Sequence, residues 1–120
     1  MQNQLVVMGS RLRLTSFRHL ARFLRASARV NRQLKGASGL VDSKVRAQLG
    51  SLTFWTLSTW EDEASLRTFA RSEPHASIIT ELRERGAMRS GDFAFWTIDR
   101  TEPLPAWDDV EARVIAAVAR

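Results

Sequence analysis

Between Thr53 and Trp60 the run TFWTLSTW places Phe54, Thr56, Ser58 and Trp60 on one face of an extended strand and Trp55, Leu57 and Thr59 on the other. Large apolar groups point both ways. A strand of that kind must be covered on both sides, and the rest of the 120-residue chain reads as material for one side only. A second copy of the chain is the expected cover for the other face.

The remaining segments follow from periodicity and punctuation. Leu5 to Leu14 alternates imperfectly, with Val6, Met8, Leu12 and Leu14 on one face and Leu5, Val7, Gly9, Arg11 and Arg13 on the other, so a strand is expected. Thr15 and Ser16 are natural caps for a helix running to Gly36. Its main apolar stripe is Phe17, Leu20, Ala21, Leu24 and Ala28, widened by Phe23, Ala26, Val30 and Leu34. Leu40 to Gln48 is a second strand, joined through Leu49-Gly50-Ser51 to the two-faced strand as a hairpin.

Glu61, Asp62 and Glu63 supply the cap and first-turn acids of a second helix, which buries Leu66, Phe69 and Ala70. Ser72-Glu73-Pro74-His75 interrupts it, and the helix restarts with Pro74 at its first position to bury Ile78, Ile79 and Leu82 before Gly86. Asp92 to Ile98 is a fourth strand, with Phe93 and Phe95 opposite Ala94, Trp96 and Ile98. Residues 101–105 form a proline-punctuated linker, and Trp107 to Arg120 an amphipathic helix through Trp107, Val110, Val114, Ile115 and Val118, expected on the outside of the domain or on a partner.

Strand, helix, two strands, helix, strand is the split βαβ order of an α+β ferredoxin-like domain: βαββαβ, a four-stranded antiparallel sheet with helices on one face. The domain is expected to span residues 1–100, with 101–120 as linker and extra C-terminal helix. The sheet's other face is left bare in one copy, and pairing two copies through it predicts a homodimer built as a dimeric α/β barrel.

Composition narrows the chemistry. There is no cysteine, which removes disulfides, thiolate nucleophiles and thiolate metal ligands and fits a reducing compartment. No segment reads as a secretory leader or a membrane span, so a cytoplasmic location is expected. All but Lys35 and Lys44 of the 18 basic residues are Arg, and the net charge is +5. Arg18, Arg22, Arg25, Arg29 and Arg32 recur along one line of the first helix with no acid on that helix to pair them. Such a line suits an anionic partner such as a nucleic-acid backbone, but a solvated face, or one paired with acids from elsewhere in the fold, is the preferred reading, and nucleic acid is not an expected partner.

The run FWTLSTWEDEASLRTFARSEPH, preceded by a strand, a helix and SGLVDSKV, resembles the antibiotic-biosynthesis-monooxygenase-like proteins of the dimeric α/β barrel superfamily, especially small bacterial proteins related to spheroidene monooxygenase. The likeness covers most of residues 5–100. It implies a pocket between helices and sheet that takes a small hydrophobic or aromatic ligand. The superfamily's chemistries include cofactor-free oxygenation of polycyclic phenols and haem degradation. Where haem-degrading members carry a pocket Trp this chain has Phe69, and their iron-ligating His falls on Ile79, so no cofactor is expected and haem is the disfavoured exception.

His75 is the candidate catalytic residue, as a general base for a phenol or as a ligand, against the plainer reading of a histidine capping the helix break. Trp55, Trp60, Phe69 and Trp96 are the candidate pocket walls, against core or dimer interface. His19 is expected at the edge of the first helix's apolar face. Arg11, Arg13 and Arg46 suit a ligand carboxylate or phenolate, with surface placement preferred. No metal site, phosphate loop, nucleophile elbow or dinucleotide fingerprint is present in the sequence. Three functions remain: an oxygenase-like enzyme acting on an aromatic or polyene molecule, a non-catalytic dimeric binding or scaffold domain, and a nucleic-acid-binding module, in that order.

Overall fold

The computed structural model describes residues 4–73 and 75–118. The chain runs β1 (Gln4–Leu14), a 3-10 turn (Phe17–His19), α1 (Leu20–Lys35), β2 (Leu40–Gln48), a 3-10 turn (Leu49–Ser51), β3 (Thr53–Trp60), α2 (Glu63–Arg71), α3 (His75–Glu84), β4 (Met88–Asp99) and α4 (Trp107–Val118). All pairings are antiparallel and the sheet order is β2-β3-β1-β4, so the expected α+β ferredoxin-like fold is present. Pro74, expected to open the restarted helix, lies outside the described residues, as do the last two residues expected in the C-terminal helix.

Local chemistry accounts for the boundaries. Ser16 Oγ accepts from the Arg18 N–H, and Asp62 Oδ1 accepts from the Ser65 N–H at 2.7 Å, opening the first turn and α2 as N-caps do. The Ser65 backbone N–H and then its hydroxyl hold the Asp62 carboxyl below its ordinary value of 3.8. A group depressed in the folded state stabilises the fold above its unfolded pKa and stops doing so as pH falls through the folded value. Asp62→Ala should therefore lower the melting temperature at neutral pH, and the gap to the wild type should close as the pH falls below 3.8.

β4 begins four residues before the expected Asp92. The polar run Arg89-Ser90-Gly91 does not read as strand by itself; pairing with the far end of β1 recruits it, through Arg13 Nε to Ser90 Oγ at 2.7 Å and the Arg11–Asp92 ion pair at 2.9 Å.

Both faces of β3 are buried, and both covers come from the same chain. On one face Phe54 joins Leu14, Phe23, Leu52, Ile78, Leu82 and Ala87, while Trp60 joins Leu66 and Phe69 beneath α1, α2 and α3. On the other face Leu5, Val7, Trp55, Leu57 and Ile98 pack against Val110 and Val114 of α4. The expectation of a bare second face is thus corrected. The C-terminal helix supplies that cover, and Val110 and Val114 are fully buried. Gly9 permits the approach: a Cβ there would lie 2.9 Å from Val110 Cγ1 and 3.3 Å from Trp96 Cη2.

A second correction concerns α1. Phe23 is buried, with Ala26 and Val30 packed on its cluster and Leu34 on the other, whereas Phe17 and Leu24 of the expected inward stripe are 63% and 46% exposed. Ala21 and Ala28 are exposed as well. α1 carries two apolar stripes, and the one with the larger branched and aromatic groups faces the sheet.

Candidate functional site

On the helix-facing side of the sheet the two apolar clusters are separated by a band of hydroxyls. Strand register puts Thr56, Ser10 and Phe93 in one row across β3, β1 and β4, and Ser58, Met8 and Phe95 in the next. Ser10 Oγ and Thr56 Oγ1 share a hydrogen bond, and Ser58 Oγ accepts from Trp60 Nε1 at 2.9 Å. The apolar cluster around Phe54 closes the band at one end and the Trp60 cluster at the other.

Towards β4 the band is open. Phe93 and Phe95 sit on the helix side by register yet remain 57% and 56% exposed, their rings in edge contact at 5.3 Å. Met8, Ser10 and Thr56 are half-buried. Two aromatic rings, a thioether and three hydroxyls together suit a flat, largely apolar molecule carrying a few polar oxygens: the rings take its faces and the hydroxyls its edge.

His75 stands beyond the Trp60 end. Its ring lies 5.1 Å from that of Phe69, which lies 5.5 Å from that of Trp60. Nδ1 is 3.1 Å from the Ala70 carbonyl oxygen, an obligate acceptor, so Nδ1 carries the proton and Nε2 holds the lone pair in the neutral ring. The His75 N–H donates to Gln33 Oε1 at 3.0 Å, while Gln33 Nε2 donates to the Phe69 carbonyl at 3.2 Å. Gln33 thereby ties α1 to the end of α2 and the start of α3. The imidazole serves the helix break in the structure, the plainer of its two expected roles, and connects to the hydroxyl band through two aromatic rings.

The other expected pocket residues divide between the two sides of the sheet. Trp60 and Phe69 share the helix side, packed into one another rather than standing apart as walls. Trp55 and Trp96 face α4 on the opposite side, so the four do not line one cavity. Trp55 Nε1 donates to Gln48 Oε1 at 3.0 Å and carries the Arg11 guanidinium 5.5 Å from its ring centre; Arg113 lies 4.8 Å over Trp96, whose Nε1 is buried without a partner among the described residues. The cause is period-two alternation: residues 55 and 60 differ by an odd number and cannot share a strand face.

Arg11, Arg13 and Arg46 are engaged by Asp92, Ser90 and Glu111 on the α4 side. His19 lies at the start of α1 with its Nε2 buried and unpartnered among the described residues. Ile79 is half-buried on α3. No group of three or more His, Cys, Asp or Glu among the described residues is placed to hold a metal ion, and no helix among them is long and apolar enough to cross a membrane. An open recess of about 270 Å³ on α3, lined by Glu73, Ala76, Ser77, Thr80, Glu81 and Glu84, contains neither imidazole nor aromatic ring.

Sequence reasoning passed over Met8, Ser10, Thr56, Phe93 and Phe95. The visible signal was the run of hydroxyls at Thr56 and Ser58 on the buried face of an otherwise aromatic strand. Its extension onto Ser10, Phe93 and Phe95 depends on a register between strands far apart in sequence.

No protein-family model matches the sequence, and no curated protein shows significant sequence similarity to it. Solved structures do match in shape. SnoaB, a cofactor-independent oxygenase from Streptomyces nogalater, superposes at a TM-score of 0.66 with 16% identity, over 88% of this chain and 100% of its own. An antibiotic biosynthesis monooxygenase superposes at 0.65 with 11% identity, over 82% of this chain and 99% of its own. A protein from Shewanella oneidensis reaches 0.70 with 9% identity, over 81% and 93%. The chain therefore shares the fold of these three structures, the ferredoxin-like arrangement described above.

Proposed function

We propose that this protein is a small monooxygenase-like enzyme that binds an aromatic or polyene molecule between its helices and its sheet. The observation that carries the reading is the hydroxyl band of Ser10 and Thr56, half-buried and open beside Phe93 and Phe95, with Ser58 buried next to it. The fold shared with a cofactor-independent oxygenase supports it and supports working without a resident organic cofactor. Haem is the less favoured case, because hydrocarbon side chains stand at Phe69 and Ile79.

For a polycyclic phenol with a ring methylene, the overall change has dioxygen as oxidant. One oxygen atom enters the methylene carbon as a carbonyl, and the other leaves as water with the two hydrogens removed. In this reading the hydroxyl band orients the phenolic oxygens and the two phenylalanines hold the ring faces; Trp60 and Phe69 stand between the band and His75, so the first proton reaches Nε2 through water rather than by direct contact. The homodimer remains part of the proposal, and α4 then occupies a sheet face that the barrel arrangement would otherwise pair with the second copy.

The competing reading is a non-catalytic binding domain, favoured by the close packing of Trp60 on Phe69. Aerobic incubation with a dihydroxyanthrone, following oxygen uptake and ring-ketone formation, separates the two. Enzyme-dependent uptake of one dioxygen per ketone formed is expected. Binding without uptake would select the non-catalytic domain.

A further inference from the structure

We infer that the exposed face of α1 is a docking surface for an anionic lipid bilayer. Arg18, Arg22, Arg25, Arg29 and Arg32 are all exposed, and among the described residues only Arg22 meets an acid, Glu81 at 3.2 Å. α1 itself contains no acid. Beside this row runs the apolar stripe turned away from the core: Phe17, Ala21, Leu24 and Ala28. At about 100° per residue, Ala21, Leu24 and Ala28 fall within about 60° of one another, with Arg25 and Arg32 at their border.

The two features select the partner together. A line of guanidinium groups, about 15 Å long from Arg22 to Arg32 at 1.5 Å per residue, calls for dense negative charge. A nucleic-acid backbone would satisfy the charge and leave Phe17 and Leu24 in water. A bilayer of anionic lipid satisfies both, with the hydrocarbon side chains entering the acyl boundary and the guanidiniums among the headgroups. Glu81 and Glu84 of α3 line one recess with Glu73, and Glu81 meets Arg22, at the side of the arginine row away from the apolar stripe. They set the edge of the contact.

Co-sedimentation with vesicles tests this, using phosphatidylcholine alone and a phosphatidylcholine–phosphatidylserine mixture. The full chain is expected to pellet with the mixed vesicles, to stay in solution with the neutral ones, and to be released by salt. The triple variant Arg25→Gln, Arg29→Gln, Arg32→Gln should bind about a hundredfold more weakly, at roughly fivefold per cation near a charged surface. Phe17→Ser with Leu24→Gln keeps every charge and should also lose most of the binding. All five positions are exposed, so unchanged circular dichroism is expected in both variants. Equal pelleting with neutral vesicles, or none with anionic ones, would overturn the proposal. So would salt-sensitive retention of duplex DNA that the Phe17, Leu24 variant leaves intact, since that assigns the face to nucleic acid.

Discussion

Val110→Asp is expected to be the most damaging single substitution in the chain. The side chain is fully buried between the sheet and α4, against Leu5, Val7, Trp55, Leu57 and Ile98. Removing the valine forfeits about 1.5–3 kcal/mol of burial, and placing a carboxylate in the same space adds the cost of desolvating a charge. A loss of about 4 kcal/mol or more is expected, a large share of the roughly 5–15 kcal/mol typical of such domains. Urea denaturation followed by tryptophan fluorescence reads it, because Trp55, Trp96 and Trp107 all belong to this cluster. If α4 were a loosely attached appendage, the variant would unfold at the wild-type urea concentration. A milder version of the same result is expected at Gly9, where any larger side chain meets Val110 Cγ1.

The second large effect is catalytic. If the first proton passes to His75 Nε2 through water, His75→Gln should lower kcat by up to about 10²-fold while KM changes little. Glutamine keeps a polar group near the Ala70 carbonyl, so the melting temperature should move far less than the rate. A purely structural histidine would give the opposite pattern: a lower melting temperature in His75→Ala, and an unchanged rate in every variant that remains folded.

How much of this was legible in the sequence depends on the distance over which each feature is decided. β3 was readable because its alternation is local, and so were the hairpin with β2, the Asp62 cap and the break before His75. The docking of α4 was not: Val110 and Val114 mark an apolar stripe without saying which surface receives it, and the one local clue was a glycine in the middle of β1. The inward face of α1 is ambiguous in the sequence because Phe17, Ala21, Leu24, Ala28 and Phe23, Val30, Leu34 are both acceptable helical stripes. Only the shape of the sheet surface decides between them.

The site divides along the same line. Trp60 and Phe69 were expected to wall one pocket; their rings are packed together, and His75 is the next ring in line. Trp55 and Trp96 were grouped with them by chemistry, whereas parity along the strand places them beneath α4. Phe93 and Phe95 were visible as apolar, but their place beside Ser10 and Met8 comes from the β1–β4 register. That pairing joins strands separated by most of the chain.

The most direct test of the central claim, that the hydroxyl band is where the ligand lies, is a paired titration of the wild type and Ser10→Leu with a dihydroxyanthrone, followed by tryptophan fluorescence. The substitution would fill the middle of the band with hydrocarbon and remove the hydroxyl that meets Thr56. Affinity should fall at least about tenfold, the loss of one oriented polar contact plus steric exclusion, with the melting temperature unchanged or raised. Equal affinity in the two proteins would place the ligand elsewhere and contradict the account.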